Sequence, residues 1–268
     1  MFNNMIIGRY MPGNSWIHRL DARVKLMLSV FFVLAVFIAN SVVGYIIAIV
    51  FAALVIQLTG LGVRVFAKGL QPLMWLMLFT VGLQILFIKT GHVWFQWGFL
   101  SITSDGLTNG VAIFVRFTLI IFFSTVLTLT TPPLGVADAL EVLMQPLKVI
   151  KVPVDDLALM VSIALRFVPT LMDEAETIMN AQRARGVEFN EGSIVKRVRA
   201  YVPLLIPLFV NAIKRAIELG DAMEARGYRG GTQRTKYRVL TWHTQDTVAM
   251  LGFLAFALVL ILVRVMGW

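Results

Sequence analysis

Five long apolar runs constrain the fold of this chain more than any other feature of its sequence. A bilayer core requires about 20 apolar residues per helical span, and each run approaches or reaches that length. The runs carry little charge, and they cover Val24–Ala39, Val42–Leu58, Leu70–Ile88, Val111–Thr131 and Thr247–Val265. The sequence therefore predicts an all-α, polytopic membrane protein with about five transmembrane helices.

The composition agrees with a membrane location. Of the 268 residues, 58% are hydrophobic and 15% are charged, whereas about a quarter of residues are charged in a soluble protein. No cysteine occurs, which excludes disulfides, thiolate metal sites and a thiol nucleophile. The first residues lack the charged segment and the cleavage site of a signal peptide, so we do not expect them to be removed.

The basic residues predict the orientation of the spans. Of the 24 lysines and arginines, 21 lie before or at the very start of the first run, between the second and third, or between the fourth and fifth. Because positive residues collect on the cytoplasmic side, we expect the N-terminus and residues 132–245 in the cytoplasm of a cell-membrane protein. The net charge of +9 follows this topology and does not indicate nucleic acid as a partner.

The middle of the chain predicts cytoplasmic helices. The expected parts are residues 1–131 with four spans, residues 132–245 with the cytoplasmic helices, and residues 246–268 with the last span. In the middle part, apolar residues recur at helical spacing in two long amphipathic helices, the first from Asp155 and the second after Ser193. Ala137–Val149 predicts a shorter helix before them, and Pro169 predicts a kink. We expect the long helices to lie on the membrane face, because their apolar segments are too short to span it.

Both long helices end in the same tripeptide. Ala184-Arg185-Gly186 closes the first and Ala225-Arg226-Gly227 closes the second. Glycine is the usual residue after a helix end, and a cation in the last turn suits the helix dipole, so each copy has an ordinary structural interpretation. Two copies also suggest two similar sockets, because a small alanine admits the helix end to a groove and arginine offers forked donors to carboxylates. The residues alone leave both interpretations open.

Three segments carry a resemblance to a known family. They are "RLDARVKL" at Arg19–Leu26, "LRFVPTLMDEAETIMNAQRARG" at Leu165–Gly186 and "DAMEARGYRGGTQRTKY" at Asp221–Tyr237. With the five-span layout, the chain resembles the transmembrane T component of energy-coupling factor transporters, which are vitamin and metal importers of the ATP-binding cassette class. The first segment departs from that family's Asp-Pro-Arg-x-Lys-Leu pattern, since Ala22 stands in place of proline.

The resemblance implies the partners and the roles of the helix ends. It implies that two cytoplasmic ATPases receive the two ends in surface grooves, and that a separate membrane subunit, the S component, binds a vitamin or other micronutrient. The chain itself would be non-catalytic and would hold no cofactor, because ATP and Mg²⁺ would bind to the ATPases. The residues that the resemblance assigns to docking are Arg185 and Arg226, with Ala184, Gly186, Ala225 and Gly227 shaping the ends.

Two other classes of function are alternatives. A secondary carrier would need acidic residues inside its spans, and none of the five predicted spans contains Asp or Glu. A non-transport scaffold would share the two arginines but recruit partners other than ATPases. The chain has no G-x-x-x-x-G-K-[ST] motif, so we do not expect it to bind nucleotide phosphates through a P-loop.

Several polar residues have competing interpretations. Asp173, Glu174 and Glu176 are compatible with an acid–base site, but a solvated helix face is favoured. Arg116, inside the fourth predicted span, is either functional or extended to the outer interface, and the interface is favoured. Gly91–Gly110 predicts an interfacial loop, so the Gly106-x-x-x-Gly110 pattern inside it is not taken as a helix-packing motif. The three histidines have no metal-ligand spacing.

Overall fold

The structure is a computed structural model that describes residues 10–97, 100–189, 191–228, 230 and 240–266. Helices form nearly all of the regular structure in this part of the chain. The elements in chain order are α1 (Trp16–Arg19), α2 (Ala22–Ile38), α3 (Val42–Thr59), α4 (Val63–Leu70), α5 (Met74–Phe87), β1 (Val93–Trp97), β2 (Leu100–Thr103), α6 (Ser104–Thr130), α7 (Pro133–Met144), a 3₁₀ helix (Gln145–Ile150), α8 (Val154–Ala184), α9 (Ile194–Ala225) and α10 (Thr244–Val265).

The prediction of an all-α membrane protein is confirmed. Within the described residues, four helices are long and apolar enough to cross a bilayer, namely α3, α6, α9 and α10, and a fifth span results if the bent pair α4–α5 is counted as one. The second, fourth and fifth predicted spans lie on α3, α6 and α10. The first lies on α2, whose 17 residues fall short of the usual span of about 20.

The third predicted span, Leu70–Ile88, begins at a bend between α4 and α5. The two helices meet at 63°, and Pro72 lies in the break between them. Proline has no N–H to donate to the preceding turn, so a continuous helix is unfavourable there. The two basic residues between the second and third predicted spans, Arg64 and Lys68, lie on α4.

The second amphipathic helix is longer than the sequence predicts. Judged by its length and composition alone, the expectation that it is too short to span a membrane is wrong. α9 continues through Pro203 and Pro207 and reaches 32 residues, and it meets the length and composition of a span. The apolar segment around the two prolines is thus part of a longer apolar helix. α8, at 31 residues, is not among the helices that meet these criteria, as the sequence predicts.

The predicted interfacial loop before the fourth span is instead a hairpin followed by helix. β1 and β2 pair antiparallel, and α6 begins at Ser104, seven residues before the predicted span. The Thr103 hydroxyl caps α6 by accepting the backbone N–H of Gly106 at 3.1 Å. The longer α6 and α10 also include acidic residues in their first turns, Asp105 and Asp246, which the shorter predicted spans leave out.

The Gly106-x-x-x-Gly110 pattern is a packing motif after all. Both glycines are buried on α6. A Cβ on Gly106 would lie 3.2 Å from the Ile85 carbonyl oxygen, and a Cβ on Gly110 would lie 3.1 Å from the Ile85 side chain. The missing side chains therefore let α5 approach α6 closely, as small residues do between membrane helices. Discounting the pattern as loop was wrong, because α6 extends through it.

Five phenylalanines form the centre of the span unit, the name used here for the compact unit of residues 1–140 and 239–268. The Phe32 and Phe123 rings stack with centroids 4.0 Å apart, and Phe51 and Phe256 stack at 4.1 Å. Phe253 completes the group with its centroid 5.7 Å from Phe256. These rings come from α2, α3, α6 and α10, so aromatic packing joins helices that are far apart in the chain.

Arg116 is held by protein groups inside the span unit. Its Nη2 donates to the Tyr45 hydroxyl at 2.7 Å and to the Ala39 carbonyl at 3.4 Å. Its guanidinium also lies over the Phe37 ring, 5.0 Å from the centroid. Arg264 reaches the neighbouring Ile38 carbonyl at 3.4 Å. Both cations thus bind carbonyl groups at the C-terminal end of α2, where the helix dipole favours positive charge.

The chain separates into two compact units. One comprises residues 1–140 with 239–268, and the other comprises residues 141–238. The second unit contains α8 and α9 and the 3₁₀ helix that follows α7. The sequence predicts one helix at Ala137–Val149, whereas the structure changes from α to 3₁₀ geometry at Gln145, next to Pro146. Proline again removes the hydrogen bond that would continue the α-helix.

Candidate functional site

The Ala-Arg-Gly end of α8 has a defined cap. Gly186 adopts a positive φ of 85°, and its N–H donates to the Arg183 carbonyl at 2.9 Å. The N–H of Val187 donates to the Gln182 carbonyl at 3.0 Å. These two bonds make a Schellman motif, which satisfies carbonyls that the helix end would leave free. Arg185 occupies the capping position before the glycine.

α9 ends in the same geometry. Gly227 has a φ of 77° and donates its N–H to the Glu224 carbonyl at 2.9 Å, while Tyr228 donates to the Met223 carbonyl at 3.0 Å. Arg185 and Arg226 have nearly equal backbone angles, with φ −87° and ψ 6° in the first and φ −86° and ψ 8° in the second. The repeated tripeptide is therefore a repeated three-dimensional structure.

Both glycines are required by backbone conformation rather than by lack of space. A Cβ on Gly186 or Gly227 would meet nothing within 4 Å. Their positive φ, however, is unfavourable for residues with a side chain. The space around each cap is therefore open to a partner.

The side chains of Arg185 and Arg226 are exposed. All six tripeptide residues are solvent-exposed, and no hydrogen bond or ion pair within the described residues holds the guanidinium of Arg185 or Arg226. Arg183, two residues before Arg185, differs because its guanidinium lies over the buried Phe189 ring, 5.9 Å from the centroid. The structure thus places every predicted docking residue on two accessible helix ends, where the forked donors of Arg185 and Arg226 bind none of the residues that the structure describes.

α8 and α9 are joined by a small polar cluster. Asn211 donates its side-chain N–H to Glu174 Oε1 at 2.5 Å, and Arg215 Nη2 lies 3.7 Å from Glu174 Oε2. The Arg215 guanidinium also lies over the Phe167 ring at 5.7 Å. Of the three acids predicted to lie on a solvated face, Asp173 and Glu176 are exposed. The prediction is wrong for Glu174, which α9 covers.

The "RLDARVKL" segment builds a second polar cluster, at the start of α2. Asp21 accepts from Arg23 Nη2 at 2.8 Å, and the same nitrogen donates to the Leu240 carbonyl at 3.1 Å. Burial raises the pKa of Asp21, but the hydrogen bonds and the charge of Arg23 outweigh it and hold that pKa below its ordinary value. The buried Lys25 ammonium donates to the Thr130 carbonyl at 3.0 Å, at the C-terminal end of α6.

Asp246 completes this cluster and is absent from the sequence-based assignments. It is fully buried and accepts the backbone N–H groups of Asp21 and His243, each at 2.8 Å. It therefore ties the start of α10 to the start of α2. The signal for it was the "HTQD" sequence before the last apolar run, because an acid three residues after a capping position is typical of a helix start.

Comparison with known proteins identifies the family. The profile of the family described as CbiQ, cobalt transport protein, matches residues 13–237, a range that includes both Ala-Arg-Gly ends. The chain belongs to the CbiQ/EcfT family. Its relatives include energy-coupling factor transporter transmembrane proteins EcfT from Lacticaseibacillus paracasei, 55% identical over 98% of this chain and 99% of the relative, and from Bacillus subtilis, 49% identical over 98% and 100%. EcfT 1 of Listeria monocytogenes is 51% identical over 93% and 94%.

Family membership agrees with a multi-pass membrane protein. One cavity of the span unit, of about 230 Å³, is lined mainly by apolar side chains such as Phe51, Phe123 and Phe253. The ammonium of Lys25, which also borders the cavity, is engaged by backbone carbonyls. Among the residues that the structure describes, no group of three His, Asp or Glu side chains is arranged to hold a metal ion.

Proposed function

We propose that this family member is the transmembrane coupling subunit of an energy-coupling factor importer. In this proposal, one cytoplasmic ATPase binds the end of α8 and a second binds the end of α9. The observation that carries it is the identity of the two ends, each a Schellman cap with an exposed arginine that has no partner among the described residues. Two helix ends of the same structure suit two related subunits better than one asymmetric partner.

Arg185 and Arg226 are the anchors in this proposal. A guanidinium binds a carboxylate through two parallel hydrogen bonds, and no group in the described part of the chain occupies the donors of either guanidinium. The exposed Ala184 and Ala225 precede the arginines without adding bulk. Gly186 and Gly227 turn the chain away at once, so that each helix end can enter a groove.

ATP and Mg²⁺ bind to the ATPases in this proposal, and the chain itself is non-catalytic. When ATP brings the two ATPases together, the anchored ends of α8 and α9 move with them. The helices pass that motion to a separate S component, which binds the vitamin or other micronutrient. The basic side of the chain, with both helix ends, faces the cytoplasm, as the distribution of lysine and arginine predicts.

The surfaces of α8 and α9 offer an apolar area for the S component and for lipid. Phe209, Ile206 and Ile217 on α9 are 67%, 60% and 58% exposed, and Met160 on α8 is 64% exposed. Such exposed apolar side chains on two adjacent helices favour an interaction surface over a solvated one. Methionine suits a surface that accepts more than one partner, because its side chain adapts its shape.

A purification experiment tests the proposal. The chain is expressed with its native partners, and Arg185→Glu and Arg226→Glu are introduced singly and together. We expect the double variant to lose the ATPases, because a carboxylate repels the acidic groups that would bind arginine. Arg199→Glu, which reverses an exposed charge at the other end of α9, is the matched control and should retain them.

Full recovery of both ATPases with the double variant would refute the docking assignment. Copurification of the unaltered chain with other cytoplasmic proteins and no ATPase would instead favour the scaffold alternative. Transport by the chain reconstituted alone, without ATP, would favour the secondary carrier. The small membrane subunit that copurifies identifies the class of substrate.

A further inference from the structure

We propose that Glu174 and Arg215 are positioning residues that set the spacing of the two Ala-Arg-Gly ends. Together with Phe167 and Asn211 they form the cluster between α8 and α9 described above, here called the pin. The proposal has two parts. The pin fixes the relative position of the helices within residues 141–238, and that fixed position serves ATPase coupling. The second part rests on the proposed function, whereas the first does not.

The pin divides both helices at matching positions. Glu174 lies eleven residues before Arg185, and Arg215 lies eleven residues before Arg226. An α-helix rises 1.5 Å per residue, so each helix extends roughly 16 Å from the pin to its capping arginine. The segments from Glu174 to Arg185 and from Arg215 to Arg226, here called the arms, are therefore equal in length. Equal arms present two equal ends, which is the arrangement that a pair of related subunits requires.

The pin also separates a proline-containing segment of each helix from a segment without proline. No proline lies between Glu174 and the end of α8, or between Arg215 and the end of α9. The prolines inside these helices, Pro169, Pro203 and Pro207, all lie on the other side of the pin. Proline removes a backbone hydrogen bond and favours bending. The arms beyond the pin are therefore the parts that retain an uninterrupted hydrogen-bond ladder.

The chemistry of the pin is specific to one alignment of the helices. Glu174 Oε2 and Arg215 Nη1 are buried without a hydrogen-bond partner among the described residues, so the ion pair at 3.7 Å is the compensation for burying both charges. A shift by one turn would leave the carboxylate and the guanidinium apart in a partly desolvated place, which is unfavourable. Apolar contacts alone would tolerate such a shift more easily.

Spin-label distances test the first part. The chain has no cysteine, so Ala181→Cys and Ala222→Cys, at exposed equivalent positions one turn before each end, give a unique labelled pair in the full chain in lipid nanodiscs. We expect a narrow distance distribution that Glu174→Arg broadens or shifts and that the double swap Glu174→Arg with Arg215→Glu restores. Glu176→Arg, on the exposed face two residues away, should leave it unchanged.

Coupling in the reconstituted transporter tests the second part. Uptake per ATP hydrolysed should fall severalfold with Glu174→Arg and recover in the swap, while the ATPases remain bound through Arg185 and Arg226. If the charge reversal impairs folding, Glu174→Gln is the variant to use, because it keeps an acceptor for Asn211 but removes the charge. It should lower uptake per ATP hydrolysed by a smaller factor.

The outcomes separate the two claims. If Glu174→Arg leaves the distribution as narrow as Glu176→Arg does, and at the same mean distance, the pin is overturned whatever the ATPases do. If the distribution broadens but Arg185→Glu and Arg226→Glu do not weaken ATPase binding, the pin is supported and the proposed function is refuted. A swap that restores distance but not the uptake ratio would overturn the role of the pin in coupling.

Discussion

Asp246 accepts the backbone N–H of Asp21 at 2.8 Å, across 225 positions of sequence. The contact joins the first residues of α10 to the first residues of α2, and Asp246 also caps its own helix through His243. A single buried carboxylate thus holds two helix starts. The "RLDARVKL" segment is in this respect structural, because it supplies one of the two groups that Asp246 binds.

We expect Asp246→Ala to destabilise the protein by about 1–3 kcal/mol, because two buried N–H groups lose their acceptor. Asp246→Asn keeps one acceptor oxygen and should lose less. Thermal unfolding of the purified chain in one detergent measures both, with Asp173→Ala on the exposed face of α8 as the control. Equal midpoints for Asp246→Ala and Asp173→Ala would contradict the bridging role.

Alanine substitutions should separate the glycines between α5 and α6. Gly106→Ala places a Cβ against backbone carbonyls that cannot move aside, so we expect a loss of about 1–3 kcal/mol from overpacking. Gly110→Ala meets flexible side chains of Val81 and Ile85 and should cost less. Gly82→Ala, in open space on α5, is the control and should be neutral or stabilising by up to about 1 kcal/mol. Equal stabilities for Gly106→Ala and Gly82→Ala would show that the helices do not pack here.

The glycine caps should matter for docking through their backbone conformation. At Gly186 and Gly227 we expect retention of the ATPases to decrease from glycine to asparagine to alanine, since asparagine tolerates positive φ better than alanine. Copurification of the ATPases measures the order, and Gly220→Ala inside α9 serves as the control. Retention that is the same for alanine and glycine at both caps would exclude a role for the cap geometry.

The sequence determined the helical content and three of the spans, because long apolar runs have few alternatives in a bilayer. It also located both helix ends, since a glycine after an amphipathic run has a strong conformational reason to end it. The hairpin and the early start of α6 were missed, because Gly106 and Gly110 suggested a loop until α5 was known to lie against them. Periodicity along one segment does not specify its neighbour.

The buried polar groups were the least predictable part. Glu174 and Glu176 look alike in the sequence, and only the position of α9 decides that one is covered and the other is not. Asp246 lay one residue outside the predicted span, and its partner Asp21 comes from the other end of the chain. Contacts of this length depend on how the helices assemble, which no local pattern records.

The affinity of the ATPase pair for the chain in nanodiscs tests the central claim most directly. We expect Arg185→Glu and Arg226→Glu each to weaken binding by at least about tenfold, as the loss of a charge-assisted contact at an interface does. Because the two ends would occupy separate sockets, the free-energy losses should add in the double variant. Arg199→Glu should bind as tightly as the unaltered chain. An affinity that the double variant leaves unchanged would contradict docking through these arginines. Complete loss of binding in one single variant, with no effect of the other, would contradict two equivalent docking ends.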